Sequence, residues 1–444
     1  MIPEPALRPA GSRGPGLERC HRSRIFLDQG DLVVRTRTRS LRRPVGENGI
    51  ARAVFVDAGG DDMERMGPTI PGSWGEVQLQ DRDGALIGWF DIEDWLPESP
   101  ALVKRSVQGE QALRRTGAAD LFRSAGVPVH IVRDRNDPRV APRTRAGRGT
   151  ALGPGKSFPA WYWNTRAVAG GVWFATITVI ILSGSTAPWL VLLSAVAALV
   201  APTARLALRA WTRRRLKRCA PVVRERVKPA PADELGATVR FCRDTELRVQ
   251  DSDLVLRELG GQEYWFPLTG PHALTALVLV RDRTGAPLGA ELRGPGDQVR
   301  VVLPWGPWFA GEGGTDGWSR LRRSAGLSVS ERSLTGKGTW PKPALGSRPL
   351  PQSGREARAM SRFPGTVAGA SSTAVMAVGS FFSLTLGARI EDSHPGAGGA
   401  AILMGALGAV LQALPYGIHQ LRSRLWLDRP VTPAGRQPLT ERTA

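Results

Sequence analysis

The sequence predicts a mixed fold: four transmembrane α-helices in two hairpins, plus two duplicated small antiparallel α+β cytosolic modules. Three observations carry this reading. Two long stretches lack charge, Arg and Lys cluster on one side of both, and three short runs recur in the same order in each half of the chain.

The first apolar stretch lies between Arg166 and Arg205, 38 residues without a charged side chain. One membrane helix needs ~20 apolar residues, so this length suits two. Ser183-Gly184-Ser185-Thr186-Ala187-Pro188 is a turn-forming cluster that divides it. The expected helices are 167–183 and 187–204. A second pair follows at 366–387 and 397–418, around the polar loop Arg389–Pro395.

Basic residues concentrate on the cytoplasmic flank of membrane spans. Arg205, Arg209, Arg213, Arg214, Arg215, Lys217 and Arg218 follow the first hairpin. Arg355, Arg358 and Arg362 precede the third span, and Arg422, Arg424 and Arg429 follow the fourth. Both termini and the modules are therefore expected in the cytoplasm of a bacterium, with the helices in its inner (cytoplasmic) membrane. Trp161, Tyr162, Trp163 and Trp426 fall where aromatic belts sit. The first 45 residues hold no apolar signal core, so the first span is expected to act as signal anchor.

The recurrence joins three pairs of runs. Gly30–Arg35 matches Ser252–Arg257, Asp81–Gly88 matches Asp282–Gly289, and Leu121–Val129 matches Leu321–Val329. Within each module, Leu32–Arg35 and Leu254–Arg257 read as strands, as do Ala51–Val56 and Thr275–Val280. Asp81-Arg82-Asp83-Gly84 and Asp282-Arg283-Thr284-Gly285 read as hairpin turns. Strands follow at Leu86–Ile92, Leu288–Leu292 and Gln298–Leu303, then amphipathic helices at Gln108–Ser124 and Gly317–Ser324. Gly126 and Gly326 end those helices. Short strands at Pro128–Val132 and Leu327–Ser330 close the modules. This element order resembles the pleckstrin-homology-like split barrels of some bacterial membrane proteins. The resemblance implies a binding or scaffolding module near a membrane.

Composition narrows the chemistry. The net charge is +20, but 54 of the 60 basic residues are Arg, in a chain also rich in Ala, Gly and Pro, so nucleic-acid binding does not follow. Three dispersed cysteines and five histidines predict neither a disulfide framework nor a metal site. Gly149–Ser157 fails the spacing of a phosphate-binding loop, since Thr150 rather than Gly stands five positions before Gly155, and it lies in a linker. Asp31, Asp81, Asp253 and Asp282 recur between the halves beside Gly or Ser and read as turn residues. No cofactor is expected.

Two residue sets are candidate sites. The arginines and lysine of 205–218 suit contact with anionic lipid headgroups, at about 1 kcal/mol per side chain. Ala397, Ala401, Gly405, Ala409 and Ala413 repeat every four residues and would let helices approach closely.

The expected organisation is a disordered tail (1–19), a first module (20–135), a basic Pro/Gly linker (136–165), the first hairpin (166–204), a basic juxtamembrane segment (205–235), a second module (236–333), a second linker (334–362), the second hairpin (363–421) and a cytosolic tail (422–444), disordered from 430. Both linkers are expected to be disordered. The function expected is a non-enzymatic, membrane-anchored scaffold or regulator with duplicated cytosolic binding modules. The alternative is a small transporter or channel component. The expected partners are the lipid bilayer, through anionic lipids, and an unidentified cytosolic or membrane protein, with a homo-oligomer compatible and no nucleic acid.

Overall fold

The computed structural model describes residues 6–9, 17–36, 39–57, 75–95, 109–134, 136–142, 150–154, 159–219, 222–250, 252–258, 263–270, 273–334 and 370–431. Ala6–Leu7 (β1), expected in a disordered tail, pairs antiparallel with Arg24–Asp28 (β2). The reason is Leu7, an apolar side chain fully buried in the first module's core. Leu17–Arg22 (α1) precedes β2. Gln29 and Gly30 adopt φ of 53° and 85°, the backbone of a two-residue hairpin turn, and lead into Asp31–Arg35 (β3). Ser40–Pro44 (β4) completes a sheet in the order β1-β2-β3-β4.

A second sheet follows from Arg52–Val56 (β5), Glu76–Gln80 (β6) and Leu86–Asp91 (β7). Ile92–Trp95 (α2) places Trp95 in the core. The helix expected over 108–124 is broken by Gly117, whose left-handed φ of 84° separates Gly109–Thr116 (α3) from Ala118–Ser124 (α4). These helices provide the crossover that parallel pairing requires. Val129–Val132 (β8) accordingly pairs parallel with β5, so the sheet is mixed where an antiparallel one was expected.

Thr150–Ala151 (β9) adds parallel to β7, giving the order β8-β5-β6-β7-β9. Leu152 then donates its N–H to Trp89 O at 2.7 Å and enters the core. The linker expected to be disordered is therefore docked over 136–142 and 150–154. One core unites both sheets: Ile25, Leu32 and Val34 meet Phe55, Val77, Leu79 and Phe90, with Leu121 and Phe122 of α4 packed in.

Ala160–Ser183 (α5) and Pro188–Cys219 (α6) form the first helical pair. The second module starts earlier than expected. Val223–Val227 (β10), inside the supposed juxtamembrane segment, pairs with Glu246–Gln250 (β11) because Val227 belongs to the core. Between them lies Val239–Asp244 (α7), capped by the Thr238 hydroxyl, which accepts from Phe241 N–H at 3.2 Å. Asp253–Arg257 (β12) and Glu263–Pro267 (β13) complete the sheet.

Ala276–Arg281 (β14), Pro287–Gly294 (β15) and Gln298–Pro304 (β16) begin the next sheet. Trp305–Phe309 (α8) and Gly314–Ala325 (α9) carry the chain across, and Ser328–Ser333 (β17) pairs parallel with β14. The order β16-β15-β14-β17 runs as β7-β6-β5-β8 does in the first module. The core again joins both sheets, with Trp308, Phe309 and Leu321 packed against Leu256, Phe266 and Leu303.

One recurring run lies on different hairpins. The Asp81–Gly84 turn joins β6 to β7, whereas Asp282–Gly285 joins β14 to β15, one hairpin earlier in its sheet. What the two share is turn chemistry. Asp81 Oδ1 accepts from Ala85 N–H at 2.8 Å and Asp282 Oδ1 from Ala286 N–H at 2.9 Å, and Gly84 and Gly285 have φ of 83° and 85°.

Ala370–Ile390 (α10) and Pro395–Arg422 (α11) form the last helical pair. Residues 429–431 pair with the chain entering α7: Val431 N–H donates to Ala237 O at 2.8 Å and Val239 N–H to Arg429 O at 3.0 Å. The tail expected to be disordered from 430 is thus held at its start. The described residues fall into two units, one within Met1–Gly155, Pro221–Glu356 and Arg429–Ala444, the other within Lys156–Ala220 and Ala357–Asp428. In the second, Ala160–Ser183, Pro188–Arg218 and Pro395–Ala413 are long and apolar enough to cross a membrane. Phe174, Leu182 and Leu403 point outward, 69 %, 81 % and 69 % exposed.

Candidate functional site

The basic candidates share one helix end. Arg205, Arg209 and Arg213 repeat every four residues along α6, and Arg214, Arg215, Lys217 and Arg218 complete its last turns. Ala204, Leu208 and half-buried Trp211 form the opposite face and pack on Tyr162 of α5. Arg166 lies over the Tyr162 and Trp163 rings at 5.5 and 5.6 Å, and Arg215 over Trp211 at 5.4 Å. Arg213, Arg214, Lys217 and Arg218 are exposed. Arg205, Arg209 and Arg215 are half-buried, so the outward-turned charge is that of Arg213, Arg214, Lys217 and Arg218.

The small-residue stripe of α11 is realised in part. Ala401 and Gly405 are buried, Ala397 and Ala409 are half-buried, and Ala413 is exposed. The seam follows Gly398, Ala401, Gly405, Gly408 and Gln412 instead, the alternating three- and four-residue steps of a packed helix pair. A Cβ on Gly405 would meet Ser380 O at 2.9 Å, and one on Gly398 would meet the Glu391 Cα at 2.6 Å. Strict four-residue spacing drifts around a 3.6-residue helix, which is why Ala413 leaves the contact. At the end of the seam, Gln412 Nε2 donates to Ser380 Oγ at 3.2 Å.

The second sheet of each module carries polar groups on the face opposite its core. Glu76, Gln78 and Gln80 stand in a row on β6, and all three are buried. Gln78 Nε2 donates to Ala141 O at 3.2 Å, and Ala141 N–H donates to Gln78 Oε1 at 2.9 Å. Gln80 Nε2 donates to Arg139 O at 2.8 Å. The side-chain amides thus read the main chain of a strap, 139–141, as a neighbouring strand would. By register, Gln78 faces Val54 and Trp89, and Glu291 faces Val278 and Val302, the same place in the two sheets. Glu291 is fully buried and binds Arg293 Nη2 at 2.5 Å and Arg332 Nη2 at 3.1 Å.

A third polar face lies on β11–β13 and meets the first module. Asp253, read from sequence as a turn residue, is a buried strand residue that pairs with Arg8. His21 stands edge-on to Trp265, with ring centroids 4.6 Å apart. Burial, and next the Arg248 charge, lowers the His21 pKa from 6.5 to about 4. Around them, Arg248 binds Glu263 at 2.5 Å and lies 3.7 Å from Glu246, which is also 3.7 Å from Arg257.

Sequence reasoning missed Arg8, Gln78, Gln250, Glu291 and Trp265. The strands of Gln78, Gln250 and Glu291 alternate polar and apolar residues, as in Glu76-Val77-Gln78-Leu79-Gln80, a pattern that reads as a solvated outer face. Of the residues resembling a phosphate loop, 150–154 lie along β7 and the rest fall outside the described residues, as do His272 and the linker 335–362. Among the described residues no cluster of His, Cys, Asp or Glu could hold a metal ion. Comparison with protein families, with curated proteins and with solved structures finds no match to this chain.

Proposed function

We propose that the protein is a membrane-anchored, non-enzymatic scaffold or regulator whose paired modules bind a cytosolic or membrane partner. The carrying observation is that two modules with the same strand order share a chain with helices fit to cross a membrane. α10 supports a fourth span: its 21 residues extend about 31 Å at 1.5 Å each, against a hydrocarbon core of about 30 Å. Four spans leave both termini and both modules on one side, which the basic flanks assign to the cytoplasm of a bacterial inner membrane.

Two of the three recurring runs occupy equivalent elements, β3 with β12 and the α4–β8 passage with the α9–β17 passage, which supports a tandem duplication. Two sheets closing on one core, with a helix late in the order, support the pleckstrin-homology-like reading; the parallel strand after that helix is an addition to it. The 32-residue α6 is about 48 Å long, so about a dozen residues extend past the hydrocarbon and bring Arg209 to Arg218 to headgroup level. Anionic lipid is the ligand these charges suit. The Gln412–Ser380 bond joins two helices, a packing role that favours an anchor over a conduction path.

Reporter fusions after Ala220 and after Arg429 test the layout, and both should report the cytoplasm. Crosslinking in intact membranes tests the scaffold: a partner should be captured by the full chain and lost when the modules are deleted. Solute flux that survives that deletion would support the transporter reading instead.

A further inference from the structure

Arg166 and Arg205 stand at one level of the first helical pair. Arg166 lies seventeen residues before the end of α5 at Ser183, and Arg205 seventeen residues after the start of α6 at Pro188. At 1.5 Å per residue both are about 26 Å from the turn, just inside the boundary of a hydrocarbon core about 30 Å thick. From that depth an Arg side chain reaches the headgroups. Tyr162 joins the two helices there: it is 2 % exposed, packs with Ala204 and Leu208, and accepts from Arg166 Nη1 at 3.4 Å. The Arg166 guanidinium is thereby held against the Tyr162 and Trp163 rings.

The charges that meet at this level have one sign. Arg205 is repelled by Arg166, and Arg209 by Arg205 and Arg213. α5 and α6 contain no Asp or Glu, and among the described residues neither Arg166 nor Arg205 has a carboxylate partner. Arg166, Arg205 and Arg209 are half-buried, so solvent screens them less than the exposed end of α6. Like charges that are held together and partly desolvated favour the binding of an anion.

We infer that Arg166, Arg205 and Tyr162 form a discrete site between α5 and α6 for a lipid whose headgroup carries two phosphates. One phosphodiester neutralises one guanidinium, whereas two match Arg166 and Arg205 together, and the planar guanidinium fork suits phosphate oxygens. Basic pockets between membrane helices on the cytoplasmic side bind such headgroups. The position favours a lipid over phosphate in solution, because the site lies beside the exposed Trp161 and Trp163, the residues of an aromatic belt. The inference rests on the anionic-lipid reading above and deepens it from a diffuse attraction to one stoichiometric site.

Native mass spectrometry of the full-length protein in detergent, titrated with lipid, counts the molecules bound. Cardiolipin, with two phosphates, should load one lipid per chain at about a tenth of the phosphate concentration that phosphatidylglycerol requires. Arg166→Gln and Arg205→Gln should each abolish that preference, while phosphatidylglycerol still binds and shows the helix end to be intact. Arg213→Gln, Arg214→Gln, Lys217→Gln and Arg218→Gln together should weaken both lipids alike and keep the preference. Equal binding of the two lipids at equal phosphate would overturn the site and leave the lipid reading standing. So would a preference that survives Arg166→Gln and Arg205→Gln. Failure of either lipid to bind better than phosphatidylcholine would overturn both. Displacement of cardiolipin by millimolar inorganic pyrophosphate would overturn the choice of a lipid, since the acyl chains would then contribute nothing.

Discussion

In the first module the outer row of the second sheet is Glu76, Gln78 and Gln80; in the second module the same row is Gly289, Glu291 and Arg293. Both rows are buried, and each meets its burial differently. Amides carry donors and acceptors together, so Gln78 and Gln80 satisfy themselves on the backbone of a strap. A carboxylate only accepts, and its charge must be matched, so Glu291 draws in Arg293 and Arg332. The same topology therefore tolerates neutral or charged chemistry, provided that each buried polar group has its complement.

The comparison can be broken most forcefully on the charged side. Arg293→Ala leaves Glu291 buried with half its counter-charge and should cost about 3–5 kcal/mol. Adding Glu291→Gln should restore much of that loss. Chemical denaturation of the full chain in nanodiscs, followed by hydrogen exchange in β14–β16, measures both. Equal losses for the single and double variants would show that packing, not charge, governs this row.

Acid should separate the two modes as well. The His21 pKa is lower folded (about 4) than unfolded (6.5), so the unfolded chain takes up the proton first. The contact with Trp265 should lose stability as pH falls from about 6.5 to about 4, by at most about 3 kcal/mol. His21→Phe keeps a ring and removes the titration; the protection factors of the α1 amides should then no longer change over this pH range.

On the neutral side, Gln78→Ala removes two hydrogen bonds to Ala141 and should cost about 1–3 kcal/mol. Limited proteolysis within 136–142 should quicken while β14–β16 are unaffected. If the strap stays resistant, Val140 against Val54, Val56 and Val132 is what holds it.

The smallest effect concerns the turn that starts the strap. Asp137 accepts from the Arg139 side chain and backbone, which lowers its pKa from 3.8 to about 2. This contribution is complete above pH 4 and fades as pH falls towards 2. Asp137→Asn should abolish that pH dependence of the local amide exchange and leave the Gln78 pairing in place.

Much of this molecule is a local matter. Membrane compatibility is a sum over consecutive residues, so 38 positions without charge disclose two helices with no knowledge of their neighbours. Turn chemistry is equally local: Asp81 and Asp282 bind their own backbones, and Gly84 and Gly285 permit the positive φ. The same locality misleads when similar turns are taken for equivalent ones, as with these two, which lie on different hairpins.

Only the tertiary structure decided what each polar face meets. Alternation along β6 and β15 marks one side as polar, but a strap over Gln78, arginines on Glu291 and an N-terminal arm on Asp253 are contacts between distant segments. The linker shows why. Its Pro, Gly and Arg content reads as disorder, yet Leu152 had a core to enter and Ala141 an amide to pair with, and both partners lie some sixty residues away in sequence. Composition is a property of a segment; burial is a property of the surface that segment finds.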